Sequence, residues 1–293
     1  MSRAVLCDHR GVVVRAVVAH EAEDEALPAW SLPAAGVAGI ALTNMWPEPP
    51  TREWAFGGST GAGARVCILD SGVDASHPLV APLDSAVAVE LGDDGEISIV
   101  PDELGDVCGH GTACAGVVRS IAPDCSLHSV RVLGAGATGS GELILAGLRH
   151  AVEQGFDVIN LSLSTTKKRF AETLHDLADG AYFRRTLLVA AAHNMPVESY
   201  PWRFSSVISV GSHEEDDPLV WYANPSPPVE FFARGVDVNV AWPGGGTMRC
   251  TGNSFAAPNV AALCALALAK HPELTAPQVK SLLYLTATNT QGA

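Results

Sequence analysis

The sequence predicts a three-layer α/β fold: a doubly wound, mainly parallel sheet flanked by helices. Short apolar runs of strand length recur along the chain: RVCILD (65–70), SLHSVRVL (126–133), DVINLSLS (157–164), RTLLVAAA (185–192) and SVISVGS (206–212). Helical patterns lie between several of them, HGTACAGVVRSI (110–121), GELILAGLRHAVEQG (141–155) and KRFAETLHDLADGAYF (168–183). Strands that are apolar throughout and alternate with helices belong to a parallel sheet covered on both faces, and right-handed crossovers wind it doubly.

The rest of the chain is placed around that core. Residues 3–19 read as one or two short strands, and residues 20–60, rich in Pro, Gly, Ala and Trp, as loops with short turns. Residues 252–286 are helical with a Pro/Thr break near 272–277. The expected organisation is an N-terminal segment of strands and loops, 1–55, packed on a main domain, 56–293. A chain of 293 residues, 47% hydrophobic and 17% charged, is globular and long enough for a substantial core.

The net charge of −14 argues against nucleic acid and anionic membranes as partners. No run reaches the ~18 uncharged apolar residues of a membrane span, and the N-terminus lacks a secretory apolar region, so a cytoplasmic location is expected. Seven cysteines, at 7, 67, 108, 114, 125, 250 and 264, cannot all pair within one chain, and none forms C-x-x-C. Reduced, buried thiols in a cytosolic protein are favoured over a disulfide framework.

In a doubly wound sheet, loops at the carboxyl ends of the strands gather along one edge, where ligands bind. Four polar residues fall there: Asp70 in LDSGVD, His110 in GHGTACAG, Asn194 in VAAAHN and Ser254 in GNSFAAP. Each has an ordinary reading as a cap or turn residue. An Asp, a His and a Ser at strand or helix termini are also the parts of a hydrolytic triad.

Together the segments resemble the subtilisin-like serine peptidases. The order Asp, His, Ser is that of the family. VCILDSGVDASHP, HGTACAG and GNSFAAPNVAALCALALAKHP resemble its aspartate, histidine and serine segments, INLSLS and VAAAHN its substrate-strand and oxyanion segments, and YPWRFSSVISVGS the stretch that follows. The resemblance runs from about residue 60 to 288. It implies a serine endopeptidase, with Ser254 as nucleophile, His110 as general base and then acid, and Asp70 orienting His110. Asn194 and the Ser254 N–H would form the oxyanion hole. A peptide or protein substrate would bind as an added extended strand between Gly139-Ser140-Gly141 and Ser162-Leu163-Ser164, with Ala192 and His193 at the first specificity pocket. Composition alone reads 134–141 as an ordinary Gly-rich loop.

The sequence departs from the family pattern at several places. His193 stands where the family has glycine, and would narrow the pocket or add a titrating group. Asn253 replaces the usual threonine before the nucleophile. Ala113 replaces a second histidine, and Cys114, one turn after His110, resembles the thiol-containing, proteinase K-related branch and predicts sensitivity to mercurials. Leu79 follows His77-Pro78, and the chain passes from the histidine helix straight into Ala122-Pro123, so the family's tight calcium site is expected to be missing; the acidic pairs at 93–94 and 214–217 read as solvated loop charge. Neither metal nor organic cofactor is expected, and the oligomeric state is not indicated. The leading reading is an intracellular endopeptidase, refined to a dedicated precursor- or leader-peptide maturation protease. Its rivals are a catalytically weak or dead peptide-binding module and a peptide ligase or macrocyclase that passes the acyl-enzyme to an amine.

Overall fold

The structure is a computed structural model that describes residues 31–32, 49–136 and 138–290. The strands expected over 3–19 lie outside the described residues. The compact unit that carries the elements below begins at Glu48, ahead of the 55/56 division expected from sequence. Its first element is a short helix, α1 (Arg52–Phe56), tied to the C-terminal region: the Arg52 guanidinium donates to the Thr286 carbonyl at 2.8 Å, and Lys270 Nζ donates to the carbonyls of Glu53 and Gly57 at 2.7 Å each.

The sheet is built from β1 (Arg65–Asp70), β2 (Ser85–Leu91), β3 (Ile97–Pro101), β4 (Ser126–Arg131), β5 (Val158–Leu161), β6 (Leu187–Ala191), β7 (Val207–His213), β8 (Trp221–Ala223) and β9 (Phe231–Arg234). Its strand order is β3-β2-β4-β1-β5-β6-β7-β9-β8. Every pair from β2 to β9 is parallel; only the edge pairs β2–β3 and β8–β9 are antiparallel. The central strands are apolar throughout because both faces are covered, as β1 and β6 show.

One face carries α3 (Gly141–Glu153) and α4 (Ala171–Phe183), which bury Leu148, Leu174 and Ala178 against Leu69, Ile159 and Leu188. The other carries α2 (His110–Ile121) and α5 (Asn253–Lys270), with the hairpin β10 (Val238–Trp242) and β11 (Gly246–Cys250) packed on α2. From Phe255 to Leu268 every residue of α5 is buried, so this helix is apolar all round and has no solvent face. The chain closes with α6 (Ala276–Leu285), begun by a capping box of Thr275 and Gln278, which accounts for the break expected near 272–277.

The sequence reading missed β2, β3 and β8 to β11. β2, β3 and β11 carry many exposed positions, and β8, β9 and β10 are three to five residues long with their buried positions interrupted, so continuous apolarity does not mark them. Asp93 and Asp94 sit in the exposed turn of the β2–β3 hairpin, and residues 214–217 are exposed as well. The helix expected over 168–183 opens as a 3-10 turn, Lys168–Phe170, and becomes α-helical at Ala171.

The loop following α2 is held by an arginine side chain. The carbonyls of Val80, Pro82, Pro123 and Cys125 converge on the Arg119 guanidinium, which donates to them at 3.0, 2.6, 2.7 and 2.8 Å. A fixed cation therefore joins residues 80–82 to residues 123–125.

Candidate active site

The sheet reverses its winding at β1, which lies between β4 and β5. A crevice opens at such a switch point beyond the carboxyl ends of the strands. Asp70, the last residue of β1, lies in it fully buried. Its Oδ1 accepts from Ser71 N and pairs with His110 Nδ1, both at 2.8 Å.

His110 is the first residue of α2. Gly111 lets that helix start against the β1 turn, because a Cβ there would lie 2.0 Å from the Gly72 carbonyl oxygen. Asp106 completes the junction. Its carboxylate accepts from Ser71 Oγ at 2.8 Å, Cys108 N at 3.0 Å, Gly109 N at 2.7 Å and Thr112 N at 2.8 Å. It thus satisfies Thr112 N of α2, while Gly111 N donates to Ser71 Oγ at 3.0 Å, and it places a negative charge at the positive end of the helix. Sequence reading overlooked Asp106; an Asp just ahead of a Gly-His-Gly-Thr helix start was the available signal. Phe255 was also overlooked; its ring centroid lies 5.6 Å from that of His110. Burial alone would lower the His110 pKa, but the charge and hydrogen bond of Asp70, joined by the charge of Asp106, outweigh it and raise the pKa above the ordinary value.

Ser254 stands at the start of α5 and is bonded twice to Ser162, just beyond β5. The Ser254 hydroxyl donates to the Ser162 carbonyl at 3.3 Å, and the Ser162 hydroxyl donates to the Ser254 carbonyl at 2.8 Å. The second bond depends on Pro258. In an uninterrupted helix the N–H of residue 258 would occupy the Ser254 carbonyl; proline has none, so that carbonyl is open to Ser162. Asn160 Nδ2 holds the Ser162 hydroxyl from behind at 3.0 Å.

Asn194 follows β6 and is exposed. Its Oδ1 accepts from Asn253 N at 3.0 Å, which leaves the Nδ2 end as the donor turned elsewhere. The Asn253 side chain does not face the cleft. Its Nδ2 donates to the Ala192 carbonyl at 3.1 Å and its Oδ1 accepts from Ser212 N at 2.9 Å, so it points elsewhere and does not act as an oxyanion donor.

A cavity of about 400 Å³ brings together His110, Ser254, Asn194, Gly139, Ser162, Leu163, Ser164, Ala192 and His193. Leu133, Thr138 and Ile144 join them. Two expected substrate contacts are not part of this lining. The Ser140 hydroxyl accepts from Leu143 N at 3.2 Å and caps α3, while Gly141 is buried where a Cβ would strike the Phe170 ring at 2.1 Å. Both are spent on starting the helix.

Cys114 lies beneath Ser254 with no exposure. Its thiol donates to Ser162 Oγ at 3.4 Å and to the Ser254 carbonyl at 3.5 Å. Burial, reinforced by the charge of Asp70, pushes its pKa well above the ordinary value. The accessible thiol that mercurial sensitivity at this position requires is therefore not there. Among the described residues, Asp70, His110 and Cys114 are the group whose donor atoms lie close enough to hold a metal, within 4.8 Å of one another. A metal would have to break the Asp70–His110 bond and ionise this thiol.

Comparison with known proteins identifies the family. The model of the subtilase family matches residues 61–293. Subtilisin DY of Bacillus licheniformis is 33% identical over 249 residues, covering 79% of this chain and 86% of its own. Subtilisin E of Bacillus subtilis is 32% identical over the same length, and the match spans 62% of that protein. A solved structure described as a cold adapted subtilisin-like serine proteinase superimposes with a TM-score of 0.66 at 25% identity, over 80% of this chain and 88% of that one. The chain belongs to the subtilase family. It is accordingly a subtilisin-like serine endopeptidase, a hydrolase acting on peptide substrates.

Proposed function

We propose that this chain cleaves peptide bonds through Asp70, His110 and Ser254 by way of an acyl-enzyme. The observation that carries the reading is that His110, which lines the same cavity as Ser254, is bonded through Nδ1 at 2.8 Å to a fully buried Asp70. Asp70 fixes the tautomer in which His110 Nε2 is the free base and stabilises the imidazolium that forms. Ser254 Oγ gives up its proton to His110 as it attacks the carbonyl carbon; its bond to the Ser162 carbonyl, at 3.3 Å, is long for a hydroxyl and easily released. The tetrahedral oxyanion receives the Ser254 N–H at the start of α5 and Asn194 Nδ2. His110 then protonates the leaving amine, and water completes hydrolysis by the reverse exchange.

The substrate lies extended against Gly139 and Ser162–Ser164. The reading of a dedicated intracellular maturation protease, acting on one precursor or leader peptide, rests on two features. The described cysteines, Cys67, Cys108, Cys114, Cys125, Cys250 and Cys264, are free thiols, which suits a reducing compartment. His193 and the turn after it narrow the choice of side chain beside Asn194. Incubation with a peptide library followed by mass spectrometry tests this. A narrow set of products, each pair summing to substrate plus one water, is expected. A broad set contradicts the dedicated role, and products lacking the water indicate ligation or cyclisation.

A further inference from the structure

A cavity of about 330 Å³ lies on the face of the sheet that carries α2 and the β10–β11 hairpin. It shares no lining residue with the cavity that holds Ser254. Arg119, on its wall, stands about 13 Å along α2 from His110. The wall is largely apolar, with Leu79, Val117, Val238, Val240 and Ala241. A Cβ at Gly116 would lie 2.7 Å from the Ala241 Cβ, so α2 and β10 are in contact there and close the cavity on that side. Leu79, by contrast, is 52% exposed.

Two side chains that the fold leaves partly unused meet in this space. Arg234, the last residue of β9, gives Nη2 to Asp216 at 3.2 Å, while its Nε is buried without a partner. Asp216 is 92% exposed, so the pair is open to solvent and contributes little. Asn259 of α5 is 2% exposed. Its Nδ2 donates to the Arg234 carbonyl at 2.9 Å and to the Phe255 carbonyl at 2.7 Å, which fixes the end that carries the oxygen. Among the described residues nothing donates to Oδ1, so a buried amide keeps an open acceptor next to the arginine. A buried acceptor left open is costly and calls for a partner. Arg119 is different: its guanidinium is spent on four carbonyls and adds only positive potential.

A ligand that completes this site brings an anion to Arg234, a donor to Asn259 Oδ1 and an apolar body to the valines. The last residue of a peptide carries all three on one unit: the carboxylate, the backbone N–H and the side chain. The positive corner is a local exception in a chain of net charge −14. We propose that this cavity binds the free C-terminus of a peptide whose last residue is apolar, with its carboxylate on Arg234 and its terminal N–H on Asn259 Oδ1. The carboxylate displaces the exposed Asp216. The site is separate from the cleft and does not depend on Ser254 being the nucleophile.

Methyl NMR on the full chain, titrated with N-acetyl-leucine, reads position and affinity together. A ligand of this size binds at about millimolar strength. Shifts are expected at Val117, Val238 and Val240. N-acetyl-leucinamide, which lacks the carboxylate, should bind about tenfold more weakly, and 4-methylpentanoate, which lacks the N–H, about fivefold more weakly. Arg234→Gln should weaken N-acetyl-leucine about tenfold. Asp216→Asn, which removes the competing carboxylate, should tighten it. This exposed change keeps the test decisive if Arg234→Gln does not fold. No shift at the three valines at about tenfold the expected concentration, or shifts confined to Leu133 and Ile144 in the cleft, overturns the proposal. Equal affinity for either of the two truncated ligands, or no gain in Asp216→Asn, overturns it as well.

Discussion

Ser162 and Ser254 hold each other by two hydrogen bonds in opposite directions, hydroxyl to carbonyl each way, at 2.8 and 3.3 Å. The arrangement positions the start of α5 relative to the end of β5, and hence, on the proposed mechanism, the attacking oxygen relative to the segment proposed to flank the substrate. It exists because Pro258 leaves the Ser254 carbonyl without a helical donor.

Ser162→Ala should therefore reduce kcat/KM about tenfold and cost about 1–3 kcal/mol of stability, since the Ser254 carbonyl loses the shorter of its two donors and Asn160 Nδ2 loses its acceptor. In a Pro258→Ala background the same change should cost less, because the restored N–H of residue 258 supplies the carbonyl. A double-mutant cycle read by denaturant unfolding checks this; equal costs in both backgrounds would show that Pro258 plays no such part.

His110 carries a pKa raised by Asp70 and Asp106 against the effect of burial. The base must be neutral to accept the serine proton, so activity should appear as pH rises through this raised value. Asp106→Asn removes one of the raising charges and should shift the acidic limb of kcat/KM to lower pH. For stability the same group acts in the opposite direction. The paired imidazolium contributes fully below the unfolded value near 6.5, and the contribution is lost as pH rises through the raised value. A pH–rate profile beside a pH series of melting curves checks both directions.

The Arg119 guanidinium binds four carbonyls that would otherwise be left open. Arg119→Met should destabilise the protein by about 3 kcal/mol. A chelator should leave Tm and activity unchanged in the wild type. A large drop in Tm on chelation would show that a metal, and not this side chain, supports the loop.

Thiol reactivity should follow exposure. Cys108 and Cys250 are partly exposed, whereas Cys114 is sealed and its thiol is held protonated. Peptide mapping after brief mercurial or iodoacetamide treatment should find the label on Cys108 and Cys250 before Cys114. Any inhibition should persist in Cys114→Ala, and its disappearance there would place the reactive thiol beneath Ser254.

The centre of the fold was legible because its physics is local. Buried parallel strands such as RVCILD and LLVAA are continuous apolar runs, and the helices between them carry their own period. Asp70, His110, Asn194 and Ser254 were legible as polar residues at strand and helix ends in a fixed order. The exposed hairpins were not, because half their residues face water. Asp106, the side-chain direction of Asn253 and the spending of Ser140 and Gly141 on the α3 cap depend on contacts between segments distant in sequence or on cap geometry. Local pattern does not encode the contacts of Asn253 with Ala192 and Ser212, whereas Asp106 and Ser140 stand just ahead of helix starts, where a capping signal is present.

The account's central claim is that Ser254 is activated by His110. Intact-mass spectrometry after a fluorophosphonate probe tests it on the wild type beside Ser254→Ala and His110→Ala. One adduct on the wild type is expected, absent in Ser254→Ala and formed far more slowly in His110→Ala. No adduct on the wild type, or labelling equally fast in His110→Ala, would contradict it.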